Sequence, residues 1–301
     1  MRKDTYKPSR SPLCISSGIA ALLSFSLLAI SAFAQTVEVK LPSGMTASAN
    51  FQAGLPAQPA VLLLHGFLQT HHSPPMSSLA NNLASKGYTV LNPTISLGLN
   101  KRSQSSPCEA AHTYTMDEEI SEIGYWVTWL NKKGYKNIAL AGFSSVGNLD
   151  VLLFNLQTRH PAIKASILIS LNPLEVAQEE QKKIQRLMNS TQHKQNNRIG
   201  HFTLGYCQNN FAATDRAYLS YAQHDEINML QLLQQTSIPT EIIFGADDAI
   251  LPANWLSRIE THHGMPVTVT LIPNANHFFD GTSEFDLSEA VEQSLLKIGP
   301  Q

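Results

Sequence analysis

The chain has 301 residues, 43% hydrophobic and 15% charged, with 21 Lys and Arg against 23 Asp and Glu and a formal net charge of −2. No basic block runs through it, so nothing draws the protein to nucleic acid or to an anionic membrane surface. The first element in chain order is a processing segment. Arg2, Lys3, Lys7 and Arg10 precede an uncharged run over residues 13–34, which closes on Ala32-Phe33-Ala34. A positive start, an apolar run and a small-x-small close predict a signal peptide over 1–34, cut before Gln35 by the general secretory route. Retention as a membrane anchor is the alternative, since ~20 apolar residues can span a bilayer. Cys14 lies at the very start of that run, whereas a lipidated cysteine would follow it. An exported protein, periplasmic or secreted and without stable membrane association once cut, is the expectation. Losing four basic residues and Asp4 leaves 267 residues at a net charge near −5, enough for one large domain over 35–301. Its two cysteines, Cys108 and Cys207, could pair in an oxidising compartment or stay as free thiols. Neither has metal-ligand spacing.

Beyond the leader, residues 36–40 alternate as a half-buried strand, and Pro42-Ser43-Gly44 turns the chain into a second strand over 46–52. Short apolar runs then alternate with amphipathic ones. Strands are predicted at 60–64, 88–92, 137–141, 165–171, 241–244 and 267–271, and helices at 77–85, 116–133 and 284–298. The long helix carries Ile120, Ile123, Trp126, Val127 and Leu130 on one stripe. Alternation of this kind specifies a mostly parallel sheet covered by helices on both faces. Residues 175–238 break the rhythm. They are polar, helical near 219–233, and read as a small cap insertion over the site, because connections of that length are usually functional.

Four strand ends carry chemistry. The strand at 137–141 runs into Gly142-Phe143-Ser144-Ser145-Val146-Gly147, with a helix expected from about Asn148. A sharp strand-to-helix turn exposes one side chain at the carboxyl edge of the sheet and needs small residues two positions either side. Ser144 fits as nucleophile through Gly142, although Val146 occupies the second small position; Ser145 is the alternative, with Phe143 against it. After the strand at 60–64, His65-Gly66-Phe67 bends so that the Phe67 N–H can join that of Ser145 as an oxyanion hole. His65 itself reads as a structural histidine. In Gly245-Ala246-Asp247-Asp248, with Pro252 beyond, Asp248 is the carboxylate that would orient an imidazole, and Asp247 the runner-up. His277, on a loop after the last strand, is the base. His262 and His263 fall at a helix end, where a cation suits the dipole. His71, His72 and His112 sit in loops that could line the mouth, without carboxylates at zinc-ligand spacing.

These features occur in the order oxyanion loop, serine, aspartate, histidine. With that order the sequence resembles the α/β-hydrolase superfamily over residues 36–299, in the pattern of its lipase/esterase and serine-aminopeptidase-like branch. The resemblance implies an eight-stranded sheet, Ser144 on the elbow after the fifth strand, and a cap between the sixth and seventh. A serine nucleophile argues against the dehalogenase and epoxide-hydrolase branches, which use aspartate there. The expected reaction is acyl transfer from a small or moderately polar ester to water, with no metal or organic cofactor. The loop over 95–115 and the cap should shape the pocket, and a Cys108–Cys207 bond would tie them together. An amidase or peptidase acting on cell-envelope peptides shares every catalytic residue, and a non-catalytic binding protein of this fold would explain Val146.

Overall fold

The eight strands of the sheet stand in the order β1-β2-β4-β3-β5-β6-β9-β10 in a computed structural model of the chain. The structure describes Met1, residues 34–174, 198–262 and 266–300, and scattered positions between 176 and 189. The expected leader, the first part of the cap and His263 therefore lie outside the described residues. Residues 32–301 form one compact unit. β1 (Gln35–Lys40) and β2 (Thr46–Gln52) pair antiparallel, β2 pairs antiparallel with β4 (Thr89–Thr94), and every other neighbour is parallel. The central strands are β3 (Ala60–Leu64), β5 (Ile138–Phe143), β6 (Ile163–Ile169) and β9 (Thr240–Gly245), with β10 (Val267–Ile272) at the edge.

The unbroken apolar runs of these strands follow from a sheet buried on both faces. Successive side chains alternate, so Leu62 and Leu64 of β3 enter one core while Val61 and Leu63 enter the other. The first core lies under α2 (Met116–Lys132), α3 (Ser144–Thr158) and the cap. The second lies under α1 (Met76–Ser85) and the last helix, Ser283–Leu296. The predicted stripe of α2 is the face it buries: Ile123, Trp126, Val127 and Leu130 are fully inaccessible. Its start is set by a capping box, in which Thr115 and Glu118 satisfy each other's backbone N–H groups.

The cap differs from its expected form. It holds an antiparallel hairpin, β7 (Ile199–Leu204) and β8 (Cys207–Thr214), ahead of α4 (Asp215–Ala222) and α5 (Glu226–Gln234). The Gln- and Asn-rich sequence hid the hairpin because its apolar positions are sparse; yet Phe202, Leu204, Phe211 and Ala213 are buried and join the first core. α6 (Trp255–His262) follows β9, and α7 (Ser283–Leu296) closes the fold. Among the described residues no helix is long and apolar enough to cross a membrane.

Candidate active site

β5 ends at Phe143 and α3 begins at Ser144 with no loop between them, four residues earlier than expected. Ser144 takes a φ of +59°, in the left-handed region that side chains avoid. Such strain costs on the order of 1–3 kcal/mol and persists only where the surroundings enforce it. Two glycines do so. A Cβ on Gly142 would lie 2.2 Å from the carbonyl oxygen of Gly147, and one on Gly147 would lie 2.7 Å from that of His65 and 2.8 Å from that of Leu64. The second small residue the elbow needs is therefore three positions after Ser144, not two. Val146 does not obstruct the turn; it is buried and faces a small cavity shared with Phe67 and Asp150. Asn148 then ties the elbow to β6, donating to the carbonyls of Ser144 (2.5 Å) and Ile169 (2.8 Å) and accepting from the Ile169 N–H.

The structure brings three of the predicted side chains into line. Ser144 Oγ lies 2.9 Å from His277 Nε2, and His277 Nδ1 lies 2.7 Å from Asp248 Oδ2. A carboxylate accepts only, so Nδ1 carries the proton and Nε2 is left to accept from the serine hydroxyl. The Asp248 side chain is wholly buried, and its second oxygen accepts the Ile250 N–H at 2.9 Å, so neither oxygen is stranded. Asp247, the alternative, is exposed, and its main-chain N–H donates to the Ala275 carbonyl. Ser145, the alternative nucleophile, is buried in the first turn of α3. Gly245 lets the acid and histidine loops touch: a Cβ there would sit 2.3 Å from the Ala275 carbonyl oxygen. Ser170 Oγ pins the histidine loop by donating to the His277 carbonyl at 2.8 Å.

Among the described residues, neither the Phe67 N–H nor the Ser145 N–H has a hydrogen-bond partner. The Ser145 N–H belongs to the open first turn of α3, where the helix dipole also favours negative charge. Phe67 lies in a turn set by Gln69, whose N–H donates to the Gly66 carbonyl (3.1 Å) and whose side chain accepts from the Gly66 N–H (3.3 Å). His65 supports that turn from below. Its Nε2 accepts the Ile95 N–H at 3.0 Å, so Nδ1 carries the proton and donates to the Gly66 carbonyl at 2.9 Å. Burial, with Arg102 beside it, pushes His65 down to about 3, which keeps it neutral and structural.

Sequence reasoning missed three groups here. Asn172, at the end of β6, places its carboxamide 3.1 Å from Ser144 Oγ; the signal was an amide before Pro173 at the carboxyl end of a parallel strand. Arg102 is buried and reaches the carbonyls of Ile95 (2.7 Å), Leu68 (3.2 Å), Gln104 (3.0 Å) and Gln69, stitching the loop over 95–115 to the oxyanion turn. Behind the elbow, Glu119 and Asp150 hydrogen-bond to each other, and Tyr221 donates to Glu119. Two carboxyls bond only through a shared proton, and burial pushes both upward, Glu119 to about 7. His112, expected at the mouth, is instead packed inside, its ring stacked on Phe211 at 4.5 Å. His71 bonds Thr94 Oγ1 at 2.6 Å, and its ring lies against that of His72, tilted by 41°. Among the described residues no group of three His, Cys, Asp or Glu side chains could hold a metal ion. Cys108 and Cys207 form a disulfide, resolving the choice between paired and free thiols.

No family model and no curated protein sequence matches the chain. Solved structures do. The chain is similar to Est1E from Butyrivibrio proteoclasticus, at a TM-score of 0.61 and 17% identity over 87% of this chain and 98% of that one. It is similar to the alpha/beta hydrolase GrgF from Penicillium sp. sh18 at a TM-score of 0.67 and 15% identity, over 89% and 99% of the two chains. A thermophilic esterase from Thermogutta terrifontis aligns at a TM-score of 0.58 and 17% identity over 88% and 99%. Sheet order, elbow and neighbours agree that the chain has the α/β-hydrolase fold.

Proposed function

We propose that this protein is a serine hydrolase that cleaves carboxylic esters, with Ser144 as nucleophile, His277 as base and Asp248 as its orienting carboxylate. The observation that carries the reading is the continuous line from Ser144 Oγ through the imidazole to a buried carboxylate, at 2.9 and 2.7 Å. In this reading His277 Nε2 takes the hydroxyl proton as Oγ attacks the acyl carbon. The carbonyl oxygen becomes an oxyanion facing the Phe67 and Ser145 N–H groups. Its collapse expels the alcohol, which takes the proton from Nε2, and water then repeats the sequence on the acyl-enzyme. Asn172 Oδ1 lies 3.1 Å from the same Oγ and is a second acceptor for its hydroxyl, beside His277 Nε2 at 2.9 Å.

The similar structures include proteins described as esterases, one from Thermogutta terrifontis and one from Pyrococcus furiosus. The bulky Val146, which would have favoured a non-catalytic binding protein, loses its weight once Gly147 is seen to fill the tight position. A small or moderately polar ester is our substrate class, from the polar residues of the cap. We also place the protein in an exported compartment, since a disulfide suits an oxidising environment. The deciding experiment is labelling with a fluorophosphonate probe. The wild-type protein is expected to label on Ser144 and to hydrolyse p-nitrophenyl esters faster than aminoacyl anilides, and Ser144→Ala to lose both signals. Labelling that persists in Ser144→Ala would refute the assignment.

A further inference from the structure

Three aromatic rings of the cap close around Phe67. Phe211 lies 5.7 Å from its ring, Tyr206 5.5 Å and Tyr221 6.3 Å, and Phe67 is left 5% exposed. Tyr206 Oη also donates to the Phe67 carbonyl at 3.3 Å. The cavity between Phe67, Val146 and Phe211 measures about 10 Å³, room for one water and too little for the ring to turn. The hairpin that supplies Tyr206 and Phe211 is itself bolted down. Cys207 is disulfide-bonded to Cys108 in the loop over 95–115. Beside that bond, the Ala212 N–H donates to the Cys108 carbonyl, the His112 N–H to the Ala212 carbonyl and the Thr214 N–H to the His112 carbonyl, at 2.8–3.0 Å. The same loop grips the far side of the oxyanion turn: the Ser106 N–H donates to the Leu68 carbonyl at 2.9 Å, and Arg102 to that same oxygen.

We propose that the hairpin over 199–214 is a fixed clamp that aims the Phe67 N–H at the oxyanion, with Phe211, Tyr206 and the Cys108–Cys207 bond as its positioning residues. The inference rests on the hydrolase reading above. An oxyanion donor works only when held within a fraction of an ångström of its productive place. The Phe67 N–H sits on an irregular turn with no partner of its own, so side-chain and carbonyl contacts must define its direction. Those contacts come from the cap. A lid that lifts would break a covalent bond and three main-chain hydrogen bonds, so this hairpin stays closed during turnover.

The test compares the full-length wild type with Phe211→Leu, Tyr206→Phe and the double variant C108S/C207S, using p-nitrophenyl acetate and a fluorophosphonate titration of competent sites. Affinity for a trifluoromethyl ketone, whose hemiketal carries an oxyanion, is measured against that for the parent methyl ketone. Loss of one oxyanion donor costs ~10²–10³ in kcat, and a donor that is loosened rather than lost should cost about tenfold. The expected result for Phe211→Leu and C108S/C207S is a kcat per titrated site lower by about tenfold, with KM within about twofold. Preference for the trifluoromethyl ketone should fall in parallel, Tyr206→Phe should fall between them and wild type, and Phe211→Tyr should restore both readouts. Folded variants with wild-type kcat per site and wild-type ketone preference would overturn the clamp while leaving the hydrolase reading intact. So would a loss that appears only as fewer titratable sites. A wild type that neither labels nor turns over would overturn both.

Discussion

Asp150→Asn probes the carboxyl pair behind the elbow. Glu119 and Asp150 are 2% and 1% exposed, on α2 and α3, and their mutual hydrogen bond requires one proton between them. Burial raises Glu119 from 4.5 to about 7 and raises Asp150 as well. A carboxyl raised in the folded state binds its proton more tightly there than in the unfolded chain. The stabilisation is therefore complete below about pH 4.5 and is lost as pH rises through about 7. The linkage belongs to the pair, both carboxyls being raised by burial, and its direction is a loss of stability across that window. An asparagine at 150 offers an N–H donor that does not titrate, while Tyr221 continues to donate to Glu119. Stability of the variant should then fall less steeply between pH 5 and pH 8, ending about 1–3 kcal/mol above wild type at pH 8. Urea unfolding followed by tryptophan fluorescence at stepped pH reads this directly. Parallel curves for the two proteins, whatever their offset, would refute the shared proton.

Gly147→Ala places a methyl against the His65 and Leu64 carbonyls at 2.7–2.8 Å, where only backbone can yield. It should cost about 1–3 kcal/mol in thermal or urea unfolding and lower kcat at least tenfold. Arg102→Met removes its hydrogen bonds to four carbonyl oxygens, leaves those of Ile95, Gln69 and Gln104 without it while Leu68 keeps the Ser106 N–H, and should destabilise by about 3 kcal/mol, seen in the same unfolding assay. Asp248→Asn keeps the shape of the site but no longer holds the proton on His277 Nδ1. Its kcat should drop by ~10⁴, with fluorophosphonate labelling slowed in step. Preserved labelling in that variant would remove Asp248 from the mechanism.

The sheet and the order of the candidate site residues were legible in the linear sequence. Apolar runs and amphipathic stripes are local signals, and they marked the strands of the main sheet and helices α1, α2, α3 and α7 to within a few residues. Glycines and charged or nucleophilic residues at strand ends likewise marked Ser144, Asp248, His277 and the turn at Phe67, because a parallel sheet forces its chemistry to one edge. The choice of Asp248 over Asp247 was already favoured by spacing, and the fold added the reason, one side chain buried against His277 and the other exposed. Other features depended on distant neighbours. Val146 read as a flaw in the elbow until Gly147 was seen pressed against the carbonyls of His65 and Leu64. The hairpin at 199–214 was invisible because its few apolar residues bury against Phe67 and the core rather than in a strand pattern of their own. Asn172, Arg102 and the Glu119–Asp150 pair have meaning only through partners tens of residues away. Periodicity reports which face of a segment is buried; it does not say against what, and at this site the partner decides whether a polar residue is solvent-facing, structural or chemical.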